Sequence, residues 1–208
     1  QSCISTICKI FNSQNEAELK QWLPTIPDEE LSYISLMKFK CSLEFKMAVF
    51  ERLPRIYQLA TLHELDASER SLLSQSVELF EFFKKILSLY PSNEARITAL
   101  QEENEHGNSA LKKACSNPES LKIILELFPE TQRSQIAISL IRNAKSNVES
   151  LKLILELIPK GNLIFVLTNK PDLGNSLLYY IDPEIDVLNL IFELLPKNDH
   201  LRFIKRVL

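Results

Sequence analysis

Apolar residues fall at helical spacing in a phrase that occurs twice. Ser146-Asn-Val-Glu-Ser-Leu-Lys-Leu-Ile-Leu-Glu-Leu-Ile-Pro159 nearly copies Ser116-Asn-Pro-Glu-Ser-Leu-Lys-Ile-Ile-Leu-Glu-Leu-Phe-Pro129, thirty residues upstream. A phrase repeated at a fixed period is the signature of a repeat architecture. Its closing proline serves as a ruler: Pro24, Pro54, Pro91, Pro129, Pro159 and Pro196 follow at intervals of 30, 37, 38, 30 and 37. Counting back one, four, five and eight residues from each gives the apolar stripe of a helix. The stripe is Leu121, Ile124, Leu125 and Phe128 before Pro129, and Leu151, Ile154, Leu155 and Ile158 before Pro159. Before Pro196 it is Leu188, Ile191, Phe192 and Leu195; before Pro91 it is Phe83, Ile86, Leu87 and Tyr90. The copies nearer the N-terminus are weaker. Pro54 keeps Val49, Phe50 and Leu53 but has Lys46 on the stripe, and Pro24 keeps only Leu19 and Leu23, with Glu16 and Lys20. Such fading predicts an end cap that faces water.

A shorter apolar helix is expected before each striped one: Ile4–Phe11, Leu31–Phe39, Ser71–Val77, Ala110–Cys115, Ala137–Ala144 and Leu177–Ile181. The predicted unit is therefore a helix–turn–helix pair, with the proline stopping the second helix. Asn117 before Pro118, and Asp182 before Pro183, supply a capping side chain followed by proline at the first helical position. Glu119 and Glu149 fall in the first turn, where the helix dipole favours them. Lys122–Glu126 and Lys152–Glu156 read as i,i+4 pairs on the outer face, worth about 0.3 kcal/mol each. Short apolar segments after the proline (Ile97–Leu100, Ile136–Ile138, Leu163–Leu167) predict a third short helix. The additional residues of the longer intervals, Leu62–Ser68, Gln101–Asn108 and Asn169–Asn175, are polar and predict protruding loops. Together these patterns predict an all-α fold: one domain over residues 1–208, an α-solenoid of about six helix pairs, degenerate over 1–60 and clearer over 61–208.

Composition narrows what such an array does. Three glycines (Gly107, Gly161 and Gly174) stand against ten prolines in 208 residues, so a phosphate-cradling loop or strand-rich sandwich is not expected. A net charge of −3 produces no field that would attract nucleic acid. Cys3, Cys8, Cys41 and Cys115 form no C-x-x-C pair, and the C-x4-C spacing of the first two lacks the second pair a zinc site needs. They read as reduced thiols in a reducing cytosol, in keeping with the absence of any N-x-S/T acceptor. No apolar run approaches the length of a membrane span, and no signal peptide is expected. The chain starts at Gln1 and stops in mid-pattern at Leu208, which reads as a fragment of something longer. No cofactor or metal is expected, and the array is expected to be monomeric.

Candidate chemistry reduces to a few residues. Cys115 lies near His106 in sequence, yet it ends an inner helix while His106 precedes the turn, and local Cys/His proximity does not define a catalytic pair. It reads as a buried small residue. Asp28-Glu-Glu30 reads as the acidic first turn of a helix after Pro27, and Glu102–Glu105 as solvated loop charge without the central glycine of a calcium loop. Lys197, Arg202, Lys205 and Arg206 make a basic end with Phe203 and Leu208 at helical spacing. That end reads as the start of another repeat, or alternatively as a partner or membrane-surface site. Trp22 is either a binding anchor or a cover for the end of the core.

The segment His106-Gly-Asn-Ser-Ala-Leu-Lys-Lys-Ala114 resembles the G-x-T-P-L-H-x-A-A opening of an ankyrin repeat. Asn117-Pro-Glu-Ser-Leu-Lys-Ile-Ile-Leu-Glu126 resembles its second helix, and Gly174-Asn-Ser-Leu-Leu-Tyr-Tyr180 gives the opening again. The likeness covers roughly Glu105–Leu195 and is weak before Ser71. Ala110 and Leu177 replace the turn proline, Lys112 and Tyr179 replace the buried histidine, and proline replaces the glycine that ends the second helix. The resemblance therefore implies ankyrin-like repeats with short hairpins reduced or absent. The phrase E-S-L-K-x-I-L-E-L-x-P is also similar to degenerate arrays in translocated effector proteins of intracellular bacterial pathogens. That likeness implies a non-catalytic protein-binding module, delivered into a host cytosol and taking a host or partner protein on inner helices and loop tips. The residues it points to are His106, Lys112, Lys113, Arg142, Lys145, Tyr179 and Tyr180. The alternative is a targeting or regulatory domain of a larger effector enzyme whose active site lies outside this chain.

Overall fold

A computed structural model describes residues 17, 20–21, 23–33, 35–38, 41–168 and 185–207. The expected first helices Ile4–Phe11 and Leu177–Ile181, the loop Asn169–Asn175, Asp182 and Trp22 lie outside them, the loop and the first helices throughout. Every regular element among the described residues is helical, apart from one isolated antiparallel bridge between Leu65 and Ser71. The chain divides into two compact units, Gln1–Ala110 and Leu111–Leu208.

The first unit holds 3-10 turns at Leu23–Thr25 and Leu36–Lys38 and the helices α1 (Asp28–Leu31), α2 (Leu43–Arg52), α3 (Arg55–Thr61), α4 (Leu72–Ser76), α5 (Phe80–Ser88) and α6 (Asn93–Gln101). Helix α7 (Ala110–Lys113) starts at the boundary. In the second unit a 3-10 turn (Ala114–Ser116) leads into α8 (Pro118–Leu127), α9 (Glu130–Leu140), α10 (Val148–Glu156), α11 (Lys160–Thr168), α12 (Ile185–Leu194) and α13 (Lys197–Val207).

The repeated phrase folds twice in the same way. From Asn117 to Pro129 and from Asn147 to Pro159, every residue has the same degree of burial as its counterpart. All eight stripe residues of this pair are buried, and so are Ser120 and Ser150 beside them. Asn117 Oδ1 accepts from Ser120 N at 3.1 Å and Asn147 Oδ1 from Ser150 N at 2.9 Å, so both helices start on the same side-chain cap. Lys122–Glu126 and Lys152–Glu156 are exposed as expected, but neither forms an ion pair. A solvated i,i+4 pair gains too little to hold two long side chains together.

Counted from its proline, α2 shows the same burial, with Phe45, Lys46, Val49, Phe50 and Leu53 inside. Lys46 is thus in the core, not on a water-facing cap. In α5, Phe83, Ile86 and Leu87 are buried while Tyr90 is half-buried. The stripe of α12 is rotated: Ile191 and Leu195 are buried, Leu188 and Phe192 are partly open, and Val187 and Leu190 go inside. Phe192 instead meets Phe203 and His200 edge-to-face, with ring centroids 5.5 and 5.3 Å away.

Proline does more than stop a helix. Pro54 and Pro129 are extended residues that cap the following helices, and Gln132 N and Asn162 N bond to the carbonyls of Pro129 and Pro159, both at 2.8 Å. Without an N–H, proline itself adds no orphan donor at a helix start. The third helix is accordingly full-length: α9 runs eleven residues and α11 nine. A side chain from this helix reaches back to the carbonyls at the end of the preceding one. Gln58 donates to Phe50 O at 2.9 Å, Arg96 to Leu87 O at 3.1 Å, and Arg133 to Phe128 O at 2.9 Å and Glu126 O at 3.1 Å. His200 Nε2 lies 3.0 Å from Leu195 O. These side chains satisfy acceptors that a helix end leaves open.

Three expected elements differ in detail. Leu31–Phe39 is not one helix: α1 ends at Leu31, and a 3-10 turn occupies Leu36–Lys38. Ala137–Ala144 is not a separate helix, because α9 runs into it directly and its last residues take the place of the short inner helix. Ala144 and Ala114 are both buried, and Asn147 N and Asn117 N each bond back to them at 2.9 Å. The thirty-residue step therefore omits the loop that longer steps insert. The basic C-terminal segment, expected to start another repeat, forms one helix, α13, directly after Pro196, with Phe203 in the core.

Candidate functional site

The turns that open α8 and α10 gather most of the described candidate residues. Lys112 and Lys113 end α7, while Arg142 and Lys145 follow α9, and Lys112 and Arg142 are thirty residues apart at the same place in their repeats. Lys112 and Lys113 are half-buried; Arg142 and Lys145 are exposed. Asn147 Nδ2 donates to Ser116 O at 3.3 Å, which pins one turn against the next. Between the cations, Leu111, Ala114, Ile141 and Ala144 point into the core. The result is a basic edge along consecutive turns, fixed by alanines small enough to let the chain pass close.

His106 sits elsewhere, exposed near the tip of the loop between α6 and α7. Asn104 Oδ1 accepts from His106 N at 3.1 Å and Asn108 N at 2.9 Å, and Gly107 takes φ +71°. The loop thirty-eight residues upstream repeats this turn. There Asp66 Oδ1 accepts from Ser68 N at 2.8 Å and Arg70 N at 2.9 Å, and Glu69 takes φ +56°. A side-chain oxygen that closes a turn on its own backbone explains Asp and Asn at these positions. Tyr179 and Tyr180 lie outside the described residues.

One polar cluster escaped the sequence reading. Lys46 Nζ donates to Gln75 Oε1 at 2.8 Å, and Gln75 Nε2 donates to Asp66 Oδ2 at 3.1 Å. Arg70 pairs with the same carboxylate at 2.8 Å. Burial holds the Lys46 ammonium below its usual range, partly offset by Cys41 and Asp66 nearby. Burial opposes ionisation of Asp66, but hydrogen bonds from Arg70 and Ser68 outweigh it and hold the carboxyl below its usual value. The chain of bonds fastens the loop to α2 and α4. Its only signal in the sequence is a lysine on an apolar stripe.

Cys115 is buried, and desolvation pushes its thiol up to about 12, so it carries no thiolate at neutral pH. Neither Cys41 nor Cys115 is in a disulfide. Among the described residues no group of three or more His, Cys, Asp or Glu side chains could hold a metal ion, and no helix is long and apolar enough to cross a membrane. No protein-family model, curated protein or solved structure matches the chain.

Proposed function

We propose that this chain is a non-catalytic, ankyrin-like repeat module that binds a partner protein on its turn edge and loop tips. One observation carries the reading. Two consecutive repeats keep the same burial and the same caps, while the residues at their turns differ: Lys112, Lys113 and Cys115 in one, Arg142, Asn143 and Lys145 in the other. A scaffold held constant beneath variable, basic turns is how repeat arrays present a binding face. An acidic surface on a cytosolic host protein is the matching chemistry.

The test compares the parent with a Lys112→Glu/Lys113→Glu/Arg142→Glu/Lys145→Glu variant as bait, after circular dichroism has shown equal melting. Proteins captured by the parent and released by the variant are the expected result. An unchanged set of captured proteins would eliminate the turn edge as the binding surface.

A further inference from the structure

The outer face of the second unit's post-proline helices plays no part in the turn edge. Helices α11 and α13 pack side by side. In α11 a core residue is Leu167, eight positions after its proline; in α13 it is Phe203, seven after. Two positions before each of these core residues stands an exposed apolar one, Phe165 on α11 and Leu201 on α13. Phe165 is 61% exposed and Leu201 70% exposed, with Ile204 one turn further along. Gly161 lies one turn before Phe165 on the same face. Its backbone is not left-handed, and a Cβ there would meet nothing within 4 Å. Neither conformation nor packing requires a glycine, so the helix carries no side chain one turn before Phe165.

The rim of this face is basic. Lys197 and Lys205 flank Leu201 at i−4 and i+4, and neither has an acidic partner among the described residues. Asp199, the sole acid in α13, is taken by Arg202 at 3.2 Å. Cations left open around apolar groups, in a chain of net charge −3, define the complement they fit.

We propose that this face docks an acidic amphipathic helix of a partner protein. Its apolar anchors seat against Phe165 and Leu201, with one lying over the bare backbone at Gly161, and its carboxylates meet Lys197 and Lys205. An anionic bilayer fits less well, because interfacial binding scales with inserted apolar area and the face offers only Phe165, Leu201 and Ile204. This surface is separate from the turn edge, and either can fail without the other.

The test titrates the 208-residue chain into a fluorescein-labelled acidic peptide of about four helical turns, with leucines on one face and glutamates on the other. Saturable, salt-sensitive anisotropy is expected. Gly161→Trp and the pair Lys197→Glu/Lys205→Glu should each weaken it at least about tenfold, while Lys112→Glu/Lys113→Glu leaves it unchanged. Absent binding, or binding indifferent to both variants, overturns the proposal. So does displacement of the peptide by vesicles of phosphatidylcholine with phosphatidylserine, the signature of a lipid surface. If Gly161→Trp fails to fold, the lysine pair decides alone.

Discussion

Helix α2 of the first unit and helix α8 of the second bury the same positions with different chemistry. Where α8 has Ser120 and Leu121, α2 has Phe45 and Lys46, so bulk and polarity exchange places between neighbouring residues. Both versions are buried. In α8 the hydroxyl is small enough to sit inside beside the stripe. In α2 the ring of Phe50 meets Phe82 edge-to-face at 5.6 Å, and the ammonium of Lys46 is absorbed by Gln75. Position in a repeat is thus set by the count from the proline, and polarity is tolerated there once its hydrogen bonds are met.

The comparison can be broken most severely from the apolar side. Leu121→Ala should cost about 2–5 kcal/mol in denaturant unfolding, because it opens a cavity in a fully buried stripe. A loss below about 1 kcal/mol would show that the repeat register is misplaced. Lys46→Met comes next, at about 1–3 kcal/mol, since it leaves Gln75 Oε1 buried without its donor. Adding Gln75→Leu should then restore part of the loss, as removing both partners of a buried polar pair often does. Failure of that rescue would mean that the Lys46 bond is not what holds the position.

The two caps offer a finer contrast. Asn117→Ala should cost about 1 kcal/mol, the usual value of a helix cap. Asn147→Ala should cost more, because its Nδ2 also bonds the preceding turn at Ser116. Equal losses would dissolve that link between turns.

A comparable effect is expected from pH. The Cys115 thiol has its folded value raised to about 12 from 9.0. Above pH 9 the unfolded chain therefore loses a proton that the folded chain keeps, and stability falls as pH rises. Between pH 8 and 10 the parent should lose about 1 kcal/mol more than Cys115→Ala. Lys46 acts in the opposite sense, its lowered value relieving a penalty as pH rises toward 10.5, so the difference between the two chains is the quantity to measure. Smallest of all, Ser150→Ala should be neutral or stabilising by up to about 1 kcal/mol, because Ser150 Oγ is buried with no hydrogen-bond partner. A clear loss would reveal a partner.

Much of the architecture was legible because helical periodicity and proline are local. The stripes before Pro129 and Pro159 were fully visible, as was the cap at Asn117. The short helices Ser71–Val77 and Ala110–Cys115 also lie close to α4 and to α7 with its 3-10 turn. What misled was context. Ala137–Ala144 looks like a helix of its own, but nothing in its sequence breaks α9 before it. The stripe of α12 rotates because Phe192 finds rings on α13. Of the candidate site, Lys112, Lys113, Arg142 and Lys145 share one edge of the turns, while His106 sits on a loop closed by Asn104.

The sequence by itself determined where α8 and α10 start and stop and which of their stripe residues go inside, because 3.6-residue spacing and a missing N–H act through the nearest neighbours in the chain. Only the tertiary structure decided that Lys46 is a core residue, that Arg96 and Arg133 close the ends of preceding helices, and that Phe165 and Leu201 are left exposed on two helices that pack together. Each of these depends on groups from other elements meeting in space, and a buried charge or an exposed ring acquires its meaning only from what surrounds it.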